Sequence, residues 1–123
     1  MHVQTEAYVQ CRLSSKSLAQ FLKTAATPLF LYDEKSLVQA AKTLFRAFSG
    51  SSGFLPRFPV RMNPNPAVLR ILHSCGCGAL CRSRAELELA AQCGFQGRQI
   101  AYEPSASSAE AEEAAHALCA VFV

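Results

Sequence analysis

Apolar positions in this chain follow two alternating rhythms, a repeat of three to four residues and short continuous runs, and together they lay out a series of helices and strands. Leu18, Phe21 and Leu22 share one side of a short helix predicted over residues 13–22, opened by a serine cap. After Asp33, a good N-cap, Leu37, Ala40, Ala41, Leu44 and Phe48 recur at helical spacing and predict an amphipathic helix that Ser49, Gly50 and Gly53 terminate. Residues 58–62 predict a first strand. Asn63-Pro64-Asn65-Pro66 ends it and opens a helix, with Asn65 as cap and Pro66 at the first helical position. That helix carries Val68, Leu69, Ile71 and Leu72 and stops at Cys75-Gly76. A strand over 79–82, a helix over 84–93 closed by Gly94, a strand over 99–102 and a helix over 108–118 follow. The apolar run 119–123 reads as a fourth strand.

Strands alternating with helices across short connections predict an α/β fold, a parallel sheet covered by helices with right-handed crossovers. Phe45, Phe48, Phe54 and Phe58 are expected in the layer between helix and sheet, and residues 27–33 form an apolar entry segment beside which the first helix should pack.

Composition narrows the function classes. A chain of 123 residues, half of them hydrophobic, supports one small domain with a modest core. The formal charge of +3 is small and its basic residues are scattered, which argues against nucleic-acid binding. The first residues lack the charged and apolar blocks of a signal peptide and no apolar run approaches membrane-spanning length, so the expectation is a cytoplasmic protein that engages no membrane. Its six cysteines are then expected to stay reduced. Cys75, Cys77 and Cys81 straddle a helix end, a turn and a strand without a second C-x-x-C pair, which argues against a metal site; Cys93 and Cys119 sit at apolar positions of periodic segments, where thiols act as small hydrophobes. His73 and His116 have no partner at ligand or base spacing, and Glu110, Glu112 and Glu113 read as the wet face of the last helix.

Four segments, in order, resemble the pyridoxal-phosphate-dependent decarboxylases that handle diaminopimelate, ornithine and arginine, with the diaminopimelate branch fitting best. Thr27-Pro28-Leu29-Phe30-Leu31-Tyr32-Asp33 is similar to the family's "T-P-L-Y-V-Y-D" entry strand. Phe58-Pro59-Val60-Arg61-Met62-Asn63 resembles the cofactor-attachment strand "Y-A-V-K-A-N", and Asn63-Pro64-Asn65-Pro66-Ala67-Val68-Leu69 the helix start after it. Residues 78–87 are similar to "G-A-D-V-A-S-G-G-E-L"; residues 100–105 match more weakly a strand leading into a polar loop. The resemblance spans roughly residues 13–123 and implies the N-terminal half of a (β/α)8 barrel. A complete barrel takes about 250 residues, and the family adds a second, sheet-rich domain. The implied division is an N-terminal arm with a short helix, 1–26, and a partial pyridoxal-phosphate-binding barrel domain, 27–123, whose last run looks cut through an element.

The departures fall on the chemistry. In the family the strand lysine forms an imine with the cofactor, which requires an amine able to lose its proton. Arg61 stands at that position, and a guanidinium protonated above pH 12 is neither nucleophile nor imine former. The chain's lysines, at 16, 23, 35 and 42, all lie upstream. The family's acidic residue on the next strand corresponds to Leu80, and its small residue two places on to Arg82. Arg61, Arg82 and Ser83 are therefore the candidate cofactor-side residues, with no catalytic residue and no metal ligand assigned and no covalent attachment of pyridoxal phosphate expected.

Two readings of the arginines stay open. Fixed at a barrel mouth they could hold a phosphate or carboxylate; alternatively they are solvated charges paired with Glu86 or Glu103, contributing ~0 to 1 kcal/mol and needing no functional account. Ser83 and Glu86 likewise form a Ser-x-x-Glu capping box that explains them without a cofactor. Three functions follow from the resemblance. The chain is an inactive N-terminal part or degenerate homologue of a decarboxylase, a non-catalytic partner of a homologous decarboxylase subunit, or a remnant whose open barrel edges self-associate.

Overall fold

A computed structural model describes residues 14–26, 28–104, 108–118 and 120–123. The elements run α1 (Ser15–Leu22), α2 (Glu34–Ala47), β1 (Arg57–Pro59), a 3-10 turn (Val60–Met62), α3 (Pro66–Ser74), β2 (Gly78–Cys81), α4 (Arg84–Gln92), a second 3-10 turn (Gly97–Gln99), β3 (Ile100–Tyr102), α5 (Ala109–Ala117) and β4 (Val121–Phe122). The four strands form one sheet in the order β1-β2-β3-β4, every neighbouring pair parallel. This is a parallel α/β sheet, as the alternating pattern predicts, and its four strands are those that the family resemblance implies for the first half of a barrel.

Caps fix the helix starts at the expected residues. Asp33 Oδ1 accepts from the amides of Lys35 and Ser36, Asn65 Oδ1 from Ala67 at 2.9 Å, and Ser83 Oγ from Glu86 at 3.3 Å, each satisfying an amide that lacks an intrahelical partner. Glu86 reaches back to the amide of Arg82 at 2.9 Å, one residue past the Ser83 amide that a closed capping box would use.

The helix-facing side of the sheet is the core. Ala79, Cys81, Ile100 and Tyr102 meet Leu69, Leu87, Ala90, Phe95, Ala111 and Ala115, all buried, and a second cluster joins α2 to α3 through Ala41, Val68, Leu72 and Cys77. The opposite side, lined by Pro59, Leu80, Ala101 and Val121, is the inside of the half barrel. At its floor Gly78 has no room for a side chain: a Cβ there would lie 2.3 Å from the Gln99 carbonyl oxygen and 2.9 Å from Arg57 Cγ. The Arg57 side chain passes over this gap and donates from Nη2 to the Arg98 carbonyl at 2.8 Å.

Several expectations are corrected. The first strand does not reach residue 62. Pro59 has no amide to offer the ladder, and the chain turns into 3-10 geometry that drops Val60 wholly into the core. The third strand begins one residue later than expected because Gln99 belongs to the 3-10 turn that precedes it. Residues 28–32 form no strand, since no described strand lies beside them, and Phe30 is 89% exposed; Thr27 lies outside the described residues. α1 buries none of its residues fully, and Leu18 alone is half-buried. Phe45 and Phe58 lie in the helix-sheet layer as expected, whereas Phe48 is 44% exposed and stacks on Phe54 with centroids 4.3 Å apart. Cys119 lies outside the described residues.

Candidate active site at the barrel mouth

The C-terminal ends of β1, β2 and β3 converge on a small open pocket of about 60 Å³, lined by Pro59, Arg61, Leu80, Arg82, Glu86 and Glu103. Working groups in this type of barrel project from that end of the strands. Arg61 arrives on the 3-10 turn after β1. Arg82 follows β2 on the same face as Leu80, and Glu103 follows β3, its amide extending the ladder by donating to the Cys81 carbonyl at 2.9 Å.

The lining is electrically balanced: Arg61 and Arg82 against Glu86 and Glu103. Arg82 is committed to Glu103, its Nε at 3.0 Å and Nη2 at 2.8 Å both donating to one carboxylate oxygen. Both partners are partly exposed, so the pair contributes ~0 to 1 kcal/mol. Glu86 is fixed as the acceptor of the Arg82 amide. This favours the paired-charge reading of Arg82 over a free anion site, and leaves Arg61, exposed on its turn, without a described ionic partner.

Among the described residues no amine, thiol or hydroxyl lines the pocket. The nearest thiol, Cys81, is fully buried on the helix side; burial, and secondarily the Glu86 carboxylate, push its pKa up to about 12, leaving it a neutral thiol at ordinary pH. Cys77 is raised too, by burial first and then by Cys75. Among the described residues no group of three or more His, Cys, Asp or Glu side chains could hold a metal, and no helix is long and apolar enough to cross a membrane.

Of the candidates read from the sequence, the fold brings Arg61 and Arg82 into one pocket with Leu80. Ser83 stands outside the lining as the cap of α4. Glu86 was legible as the cap partner of Ser83, Glu103 as a strand-end residue, and both as possible ion partners of the arginines. Pro59 was missed, although its place two residues before Arg61 signals it.

The family model described as "Pyridoxal-dependent decarboxylase, pyridoxal binding domain" matches residues 34–119, more than half of the chain. The chain belongs to this decarboxylase family. Among curated family relatives, protein TabA of Pseudomonas amygdali pv. tabaci is 35% identical over 91 residues, covering 74% of this chain and 21% of its own length. Diaminopimelate decarboxylase of Deinococcus radiodurans is 36% identical over 104 residues, covering 84% and 27%. Diaminopimelate decarboxylase of Helicobacter pylori, solved with L-lysine, superposes with a TM-score of 0.75 at 25% identity, covering 85% of this chain and 26% of that one. The chain thus spans about a quarter of the length of these relatives.

Pyridoxal phosphate is the family's cofactor. The pocket formed here does not fit its covalent attachment. Among the described residues no amine lines it, and the strand-end position carries Arg61.

Proposed function

We propose that this chain is a degenerate homologue of the diaminopimelate decarboxylase branch, keeping the strand-and-helix scaffold of the pyridoxal domain without its carbonyl chemistry. One observation carries the reading: Arg61 projects into the strand-end pocket that the family motif assigns to its lysine, and no lysine lines that pocket. A permanently protonated guanidinium cannot attack an aldehyde. The neighbouring departures agree with it. Leu80 offers no charge where the family has an acid, and Arg82 is consumed by Glu103.

Borohydride reduction after incubation with pyridoxal phosphate, followed by peptide mass mapping, tests it. The expected result is no stoichiometric adduct, only scattered labelling of the four surface lysines upstream. A single saturable adduct in the unmodified chain, together with carbon dioxide release from a diamino acid, would overturn the proposal. In the Arg61→Lys variant, a saturable adduct on the peptide spanning β1 and α3 is expected if loss of the amine was the decisive change; its absence assigns the loss to Leu80 and Arg82 as well.

A further inference from the structure

We infer that Cys75 and Cys77 form a redox-active dithiol, a modification site at the end of α3 that exchanges with small disulfides and closes into a bridge across Gly76. Covalent geometry brings the two within reach. Residues separated by one other lie at most roughly 7 Å apart, and a chain folded back between them falls inside the span of about 4.4 to 6.8 Å that a disulfide takes. The chain is folded back here. Gly76 has a φ of 89°, its amide donates to the His73 carbonyl at 2.9 Å, and the Cys77 amide donates to the Leu72 carbonyl at 3.1 Å, the two bonds of a Schellman closure. A helix end and a strand start thus hold both cysteines in place.

Their surroundings are shared and their exposure differs. Cys77 is buried in the cluster that joins α2 to α3, with Ala41, Val68 and Leu72, and Cys75 packs at the margin of the same cluster. The sulfurs sense each other: after burial, it is the charge of Cys75 that raises the Cys77 pKa above 9.0. Both are free thiols, and among the described thiols Cys75 alone is not buried. Cys81 is fully enclosed on the helix side of β2, and the buried Cys93 turns its thiol toward the Pro66 carbonyl at 3.8 Å. A reagent in water therefore meets Cys75 first, and the sulfur beside it is Cys77. Neither lines the strand-end pocket.

Two exchange steps complete the chemistry. The Cys75 thiolate attacks one sulfur of a small disulfide such as glutathione disulfide; that S–S bond breaks, a mixed disulfide forms on Cys75, and one thiolate leaves. Cys77 then loses its proton to water and attacks the Cys75 sulfur, which forms the bridge and expels the second thiolate. Two protein thiols are oxidised and one small disulfide is reduced to two thiols. Burial of Cys77 does not block the second step, because the attack is within one turn and needs no access for the reagent. It slows it, because only the thiolate is the nucleophile.

Incubating the folded chain with glutathione disulfide, trapping free thiols by alkylation and fragmenting the peptide 71–82 in the mass spectrometer decides the question. The expected product lacks two hydrogens, carries its bridge between Cys75 and Cys77, and returns to the dithiol in reduced glutathione. Cys81→Ala, which removes the third cysteine of that peptide, should keep the bridge. Cys77→Ser should stop at the mixed disulfide on Cys75, and Cys75→Ser should leave Cys77 a free thiol, with circular dichroism as the fold control and Cys77→Ala in reserve should the serine variant not fold. Closure of the mixed disulfide should run about tenfold faster at pH 8 than at pH 7, following the thiolate fraction of Cys77. No bridge at any glutathione ratio, a bridge that forms only in urea, or a bridge that joins other cysteines would overturn the inference.

Discussion

Cys81 shows how completely one side chain's chemistry is decided by which face of a strand it occupies. One position away from the pocket-lining Leu80, it points into the helix-side core and holds its proton to about pH 12. Because the folded pKa is raised from 9.0, folding favours the thiol. The resulting stability is fully present below pH 9 and is lost as pH rises toward 12, where the unfolded chain ionises and the folded one does not. Urea melts across that window should show stability falling with pH, and Cys81→Ala should flatten the slope. Tyr102 is the opposite case. Its hydroxyl is buried with no hydrogen-bond partner among the described residues, so Tyr102→Phe removes an unsatisfied group and should raise the melting temperature, by an amount corresponding to about 1 kcal/mol. The exchange of Arg61 for the family's lysine was legible from sequence alone, because it concerns what a guanidinium can do chemically. The pairing of Arg82 with Glu103 was legible only as one alternative beside Glu86, because the choice depends on two strand ends 21 residues apart being neighbours.

Among the elements, those with a chemical start signal were legible and those shaped by tertiary contact were not. Asn65 followed by Pro66 announces α3, and the cap bond forms at 2.9 Å. Asn65→Ala should cost about 1 kcal/mol in chemical denaturation, whereas Asn65→Ser should be nearly neutral. β1 was misjudged at its end because the one mark within residues 58–62, Pro59, does not by itself say whether pairing stops there or the strand runs on past it. Burial of Val60 beside Leu69, together with the missing amide of Pro59, ends the strand after three residues. Gly78 belongs to the same class of hidden constraint. As a glycine opening a strand it looks incidental, yet the Gln99 carbonyl and Arg57 occupy the space of its Cβ. Gly78→Ala should therefore push β2 away from its neighbours and lower stability by about 1 to 3 kcal/mol, read as a reduced urea midpoint.

At the scale of the molecule, the order of strands and helices was legible because local periodicity encodes it, while the packing of the helices on the sheet was not, because it joins positions far apart in the sequence. Leu69 from α3, Leu87 from α4, and Ala111 and Ala115 from α5 meet Phe95, Ile100 and Tyr102 in one buried cluster. Leu87 is wholly buried there, so Leu87→Ala should leave a cavity and cost about 2 to 5 kcal/mol. Urea denaturation should show the midpoint lowered accordingly, whereas Leu87→Met, which nearly conserves volume, should cost under about 1.5 kcal/mol. Equal losses from the two substitutions would mean that the shape of the side chain at this position, rather than the volume it fills, holds helix to sheet.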